Sequence, residues 1–166
     1  MTKPPIVAVV GKSDAGKTTF LEKLLKELKH RKIKVGTVKH DVHGFDIDKP
    51  GKDTWRHAQA GADAVVISSP SKVAIIKKVE EELTLDQVAE AVSDMDIVLT
   101  EGYKRSNKPK IEINRTAHST ELLCTADELI ALVSDRQWDI GVPVFDLDDA
   151  PGVASLLQEK YGLPQR

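Results

Sequence analysis

The octapeptide Gly11-Lys12-Ser13-Asp14-Ala15-Gly16-Lys17-Thr18 constrains this chain more than any other feature. It fits G-x-x-x-x-G-K-[ST], a loop whose backbone N–H groups cradle phosphates and which needs a strand before it and a helix after it. Both neighbours are legible. Ile6-Val7-Ala8-Val9-Val10 is an apolar, β-branched run of the kind buried in parallel sheets. Leu21, Leu24, Leu25 and Leu28 recur at helical spacing and form one apolar stripe. Gly11 and Gly16 permit close backbone approaches that a side chain would block. Consecutive amides and the positive end of the helix then face a polyphosphate. Lys17 supplies a charge for the β- and γ-phosphates, and the Thr18 hydroxyl is placed to ligate Mg²⁺. Residues Gly11, Lys12, Ser13, Asp14, Ala15, Gly16, Lys17, Thr18 and Thr19 are the expected nucleotide-binding segment.

The rest of the chain alternates strand and helix. A helix from about Lys17 to Arg31 gives way to a strand over Lys34–Lys39, then to a polar loop from His40 to Gly51. A short helix over Asp53–Ala60 stops at Gly61. Ala64–Ser68 and Val73–Lys77 flank Ser69-Pro70-Ser71 and read as a hairpin. Thr84 opens a helix to about Ser93, Asp96–Thr100 is a buried strand, and late strands cover Glu128–Ser134 and Val142–Asp146. A closing helix runs over Val153–Tyr161. This order predicts an α/β, three-layer P-loop NTPase fold: a mostly parallel sheet with helices on both faces, plus the hairpin. The 166 residues suit a single nucleotide-binding domain over 1–166. A net charge of −2 gives no global field toward nucleic acid or anionic membrane, so neither is an expected partner. Met1-Thr2-Lys3-Pro4-Pro5 does not read as a signal peptide, and the single Cys124 permits no internal disulfide, so the expected setting is the cytoplasm, with Cys124 buried.

In open α/β sheets, ligands sit beyond the carboxyl ends of the strands. That rule selects Glu101, which ends a strand, over Asp96, which starts it. Glu101 is the expected acid for Mg²⁺, directly or through water. Asp41 closes the second strand and is expected to help place Mg²⁺ or the attacking water, giving Lys17, Asp41 and Glu101 as catalytic candidates and Thr18, Glu101 and Asp41 as metal candidates. The Asn-Lys-x-Asp guanine signature is absent, and Asp135 follows a late strand where a carboxylate can accept from guanine. His40 and His43, with x₂ spacing and no cysteine partner, are a weak signal for zinc or nickel. The basic run Lys104, Arg105, Lys108 and Lys110 begins beside Glu101 and is expected over the same edge, where an anionic second ligand would dock.

The loop Lys39-His40-Asp41-x-His43-Gly44-Phe45-Asp46-x-Asp48-x-Pro50-Gly51-Lys52-Asp53-Thr54, the following Ala60-Gly61-Ala62, the strand end Glu101-Gly102-Tyr103-Lys104 and Pro109-Lys110-Ile111-Glu112 occur with the P-loop. Together, over roughly residues 5 to 135, they resemble the molybdopterin-guanine dinucleotide biosynthesis protein B (MobB) family. The resemblance implies a homodimeric, GTP-binding protein with weak Mg²⁺-dependent hydrolysis. It would assist the molybdopterin guanylyltransferase, with molybdopterin a further ligand and Lys104, Arg105, Lys108 and Arg115 candidate pterin contacts. Lys12 sits where some dimeric P-loop ATPases carry a lysine that reaches the partner's nucleotide, although Ser13 and Asp14 replace the glycines found there. A metabolic kinase or a nickel-delivery GTPase are the alternatives from the residues alone.

Overall fold

The computed structural model describes residues 3–165, which fall into two compact units, residues 3–40 with 85–165, and residues 41–84. The larger unit is built on six parallel strands: β1 (Ile6–Val10), β2 (Val35–Lys39), β5 (Ile97–Glu101), β6 (Lys110–Asn114), β7 (Leu129–Ser134) and β8 (Val144–Phe145). Their order across the sheet is β2-β5-β1-β6-β7-β8. Since all run the same way, Val10, Lys39, Glu101, Asn114, Ser134 and Phe145 end at one edge, and the loops after them share that edge.

Alternation divides the strands between two faces. Val7, Val9, Ile97, Leu99, Ile111, Ile113, Ala131 and Val133 join one core with α1 (Lys17–His30) and α4 (Ala150–Tyr161). Phe20, Leu21, Leu24 and Leu28 of α1 are buried there. At roughly 1.5–3 kcal/mol per buried side chain, packing rather than intrinsic propensity holds this helix. Arg31 fastens its end to α4, donating to Ser155 Oγ, Gln158 Oε1 and the Pro151 carbonyl as well as to Glu27. On the opposite face, Val38 and Val98 pack on Leu85 of α3 (Leu85–Ala89), which runs on into a 3₁₀ turn over Glu90–Val92. Ala8, Val10 and Leu129 are covered by Cys124 from the irregular segment between β6 and β7. The expected parallel sheet with helices on both faces is present, although irregular chain does part of the covering that a helix would do.

Strand β6 is buried on both faces. Ile111 and Ile113 point into the α1–α4 core, and Lys110, Glu112 and Asn114 are 2%, 1% and 2% exposed on the other side. Each polar side chain finds backbone partners. Lys110 Nζ donates to the Ser106 carbonyl at 2.7 Å and to Glu128 Oε1 at 3.0 Å. Glu112 accepts from the amides of Leu123 (2.8 Å) and Cys124 (3.0 Å). Asn114 Nδ2 donates to the carbonyls of Ser119 and Glu121. This ladder holds the segment between β6 and β7 in place without secondary structure of its own.

The smaller unit contains α2 (Asp53–Gln59) and the antiparallel hairpin of β3 (Ala64–Ser69) and β4 (Lys72–Lys77), which turns at Pro70-Ser71 as expected. Among its described hydrophobic side chains only Val65 is buried. Val66 and Ile75 face each other across the hairpin, and with Val73 they share one face while remaining 59–66% exposed. No helix among the described residues is long and apolar enough to cross a membrane.

Candidate functional site

The loop that leaves β1 folds as a tight cradle. The Ala15 amide bonds back to the Lys12 carbonyl, Asp14 takes a left-handed φ of 61°, and Gly16 caps α1 with φ 93°. A non-glycine residue held at positive φ costs on the order of 1 kcal/mol and persists where surrounding structure dictates it. Gly11 is needed for a different reason: a Cβ there would lie 2.5 Å from the Ile113 carbonyl oxygen of β6. Lys17 Nζ bends over the loop and donates to the carbonyls of Gly11 (3.0 Å) and Lys12 (2.9 Å). The ammonium is thus held at the mouth of the cradle where the motif requires it. Lys12, Ser13 and Asp14 are exposed on the outer turn, and Thr19 is exposed on the first turn of α1.

Thr18 and Glu101 meet. Thr18 Oγ1 donates to Glu101 Oε1 at 2.7 Å across 83 residues of sequence, because β5 lies beside β1 and both end at this edge. A hydroxyl and a carboxylate in contact form a hard oxygen donor pair, the type Mg²⁺ prefers. Asp96 is instead at the far end of β5, where it accepts from the Lys34 amide. Behind Glu101, Gly102 and Tyr103 both have positive φ, and the Tyr103 ring stacks on His40 with centroids 4.6 Å apart. His40 is therefore part of an aromatic pair, and its amide bonds to the Glu101 carbonyl. Asp41 opens the smaller unit, where its Oδ1 accepts from the His43 amide at 3.0 Å. Among the described residues no three or more His, Cys, Asp or Glu side chains cluster as a metal site would need.

Asp135 follows β7 on the same edge. Its Oδ1 accepts from both the amide (2.8 Å) and the hydroxyl (2.7 Å) of Thr116, and these bonds hold its carboxyl below the ordinary range. One residue on, Arg136 lies over the Trp138 ring at 3.7 Å, and Trp138 Nε1 donates to Ser134 Oγ.

The basic run behaves differently from its expectation. Parallel pairing forces the chain to travel from the carboxyl end of β5 to the amino end of β6, so residues 104–110 leave the phosphate edge rather than hang over it. Lys110 is buried and Lys108 pairs with Asp86 at 2.7 Å; both are committed to structure at the far edge. Lys104 and Arg105 alone of the four are exposed. Arg115, by contrast, emerges beside the loop: its Nη2 would be 3.5 Å from a Cβ placed on Gly16. No local sequence pattern marks that neighbourhood; it depends on β6 lying next to β1.

Comparison with known proteins follows the same lines. A family model described as molybdopterin guanine dinucleotide synthesis protein B matches residues 6–135. A molybdopterin-guanine dinucleotide biosynthesis adapter protein of Escherichia coli (strain K12) is 35% identical over 164 residues, covering 95% of this chain and 94% of the relative. Its counterpart in Haemophilus influenzae is 32% identical over 156 residues, covering 93% and 88%. The crystal structure of a molybdopterin-guanine biosynthesis protein B superposes with a TM-score of 0.73 at 30% identity, covering 95% of this chain and 99% of the other.

Proposed function

We propose, since the chain belongs to the molybdopterin guanine dinucleotide synthesis protein B (MobB) family, that it is a GTP-binding adapter in the assembly of molybdopterin guanine dinucleotide. In this reading it assists the guanylyltransferase, hydrolyses GTP slowly, and works as a homodimer. The observation that carries the nucleotide part is the Thr18–Glu101 contact at 2.7 Å beside a glycine loop over which Lys17 is held.

The chemistry follows from those groups. Backbone N–H groups of the loop other than Ala15, whose amide is taken by the Lys12 carbonyl, and the N-terminus of α1 bind the β- and γ-phosphate oxygens. Lys17 moves its ammonium from two carbonyls to phosphate, exchanging neutral acceptors for charged ones. Thr18 Oγ1 and Glu101 are the residues that would hold Mg²⁺, which when bound adds positive charge against the phosphate oxygens. Glu101 orients the attacking water through its free oxygen. Asp135, with one oxygen fixed by Thr116, offers the other to guanine N1–H or the exocyclic amine, donors that adenine does not present as a pair. The exposed apolar face of Val66, Val73 and Ile75 supports self-association, since a two-stranded hairpin bare on one side is marginal in water.

Calorimetric titration with GTP and ATP in Mg²⁺, repeated with the guanylyltransferase present, tests the reading. Preference for GTP together with complex formation is the expected result. Equal binding of both nucleotides and no interaction with the transferase overturns the adapter assignment while leaving the phosphate cradle standing.

A further inference from the structure

The sheet order places two unlike groups on the two flanks of the phosphate loop. The loop leaves β1, which lies between β5 and β6. On the β5 flank stands a carboxylate, Glu101, in contact with Thr18. On the β6 flank stands a guanidinium, Arg115, against Gly16. We propose that Arg115 is a direct ligand of nucleotide phosphate, gripping the phosphate chain on the flank opposite Mg²⁺. This deepens, and rests on, the nucleotide-binding reading above.

Three features of Arg115 support the assignment. First, its backbone is fixed: it follows Asn114, which pairs with Ser134 in the sheet, its carbonyl accepts from the amides of His118 (2.8 Å) and Ser119 (3.0 Å), and Thr116 is bonded to Asp135. A long side chain that starts from a fixed turn loses less freedom when it binds. Second, among the described residues its charge forms no ion pair, and Asp148, whose carboxyl it helps to lower, is paired with Lys23. Third, its Nε is buried without a hydrogen-bond partner, an arrangement that native structures rarely tolerate without compensation. A guanidinium offers five N–H donors in a planar fork, and phosphate oxygens satisfy that fork two at a time. Gly16, with no side chain, leaves Nη2 open to the phosphate loop.

The geometry separates this residue from the metal-side groups, and so does the experiment. Binding of GDP is measured by calorimetry for wild type, R115A and R115K, in Mg²⁺ and again in EDTA, with thermal melts of each variant. R115A is expected to lose about 10- to 100-fold in GDP affinity, the cost of removing hydrogen bonds to a charged group, by the same factor with and without Mg²⁺. R115K, which keeps the charge but not the fork, is expected between the two and serves if R115A melts early. R115A or R115K binding as tightly as wild type overturns the proposal. A loss seen only in Mg²⁺ overturns the opposite-flank placement, because Arg115 would then act through the metal. Wild type that binds neither GDP nor GTP overturns the nucleotide reading itself, and this proposal with it.

Discussion

Replacing Glu112 with leucine removes the acceptor that holds the segment between β6 and β7. Glu112 is 1% exposed and receives two backbone amides, that of Cys124, which is buried, and that of Leu123, which is partly exposed. A buried amide left without an acceptor costs about 1–3 kcal/mol, and a partly wet one less, so the sum is about 2–4 kcal/mol. For a chain of this size that lowers Tm by roughly 4–16 °C. Glu112→Gln keeps one acceptor oxygen and should melt above Glu112→Leu. The pH dependence has a definite sign. Burial raises the Glu112 carboxyl above its ordinary 4.5, against the lowering effect of the two amide bonds. Its native pKa therefore exceeds its unfolded one; the stability it contributes is complete below the unfolded value and falls as pH rises through the native one. The margin of wild type over Glu112→Gln should shrink over that window. Urea or thermal unfolding at several pH values reads both effects. A Glu112→Leu variant within about 2 °C of wild type would refute the reasoning, since the segment would then be held by something other than this carboxylate.

Other outcomes follow from the same geometry. Lys17→Ala should abolish GTP binding by calorimetry while the circular dichroism spectrum stays native, because Lys17 Nζ touches only loop carbonyls; retained micromolar affinity would overturn the site. Placing lysine at both Val66 and Ile75 should shift the homodimer proposed above to monomer in light scattering, and an unchanged dimeric mass would rule out this hairpin face as the interface. Burial, with the nearby Glu112 and Glu128 charges, pushes the Cys124 thiol up to about 12. At pH 8 only about one molecule in 10⁴ then carries the thiolate, so a disulfide reagent should react with Cys124 only after denaturant is added, and rapid reaction of the folded protein would contradict the burial.

The parts that were legible in the sequence are those that local pattern controls. The β1 run, the glycine loop and the leucine stripe of α1 are contiguous and each specifies the next, and the carboxyl-edge rule was enough to prefer Glu101 over Asp96. The closing helix begins at Ala150 rather than Val153, because Asp149 caps it through the Gly152 amide and Pro151 sits in the first turn, where its missing N–H costs nothing. Strand β8 is only Val144–Phe145, shorter than the run Val142–Asp146; only these two residues pair with β7. What the sequence did not disclose is non-local. Lys110, Glu112 and Asn114 alternate with Ile111 and Ile113 as a solvent face would, yet the following segment folds over them. Lys108 and Lys110 look like part of a ligand-facing cluster until parallel pairing sends them to the other end of the sheet. Arg115 gains its place from the order of strands, which no stretch of sequence states.

The ladder on β6 divides tolerance to mutation unevenly between a strand and the chain it holds. Glu112 and Asn114 grip the main chain, taking the amides of residues 123 and 124 and giving to the carbonyls of 119 and 121. Every residue type except proline brings that amide, and every residue brings that carbonyl, so the side chains at 120 to 123 are free to vary at little cost to the fold, whereas Ser119 also bonds the Glu121 carbonyl and amide through its hydroxyl. The strand positions have no such freedom: a new residue at 112 or 114 must supply the same donors and acceptors at the same reach. An irregular stretch beside the phosphate loop can thus be rewritten by evolution, or by an engineer seeking a new partner surface, while two residues of a five-residue strand keep its course.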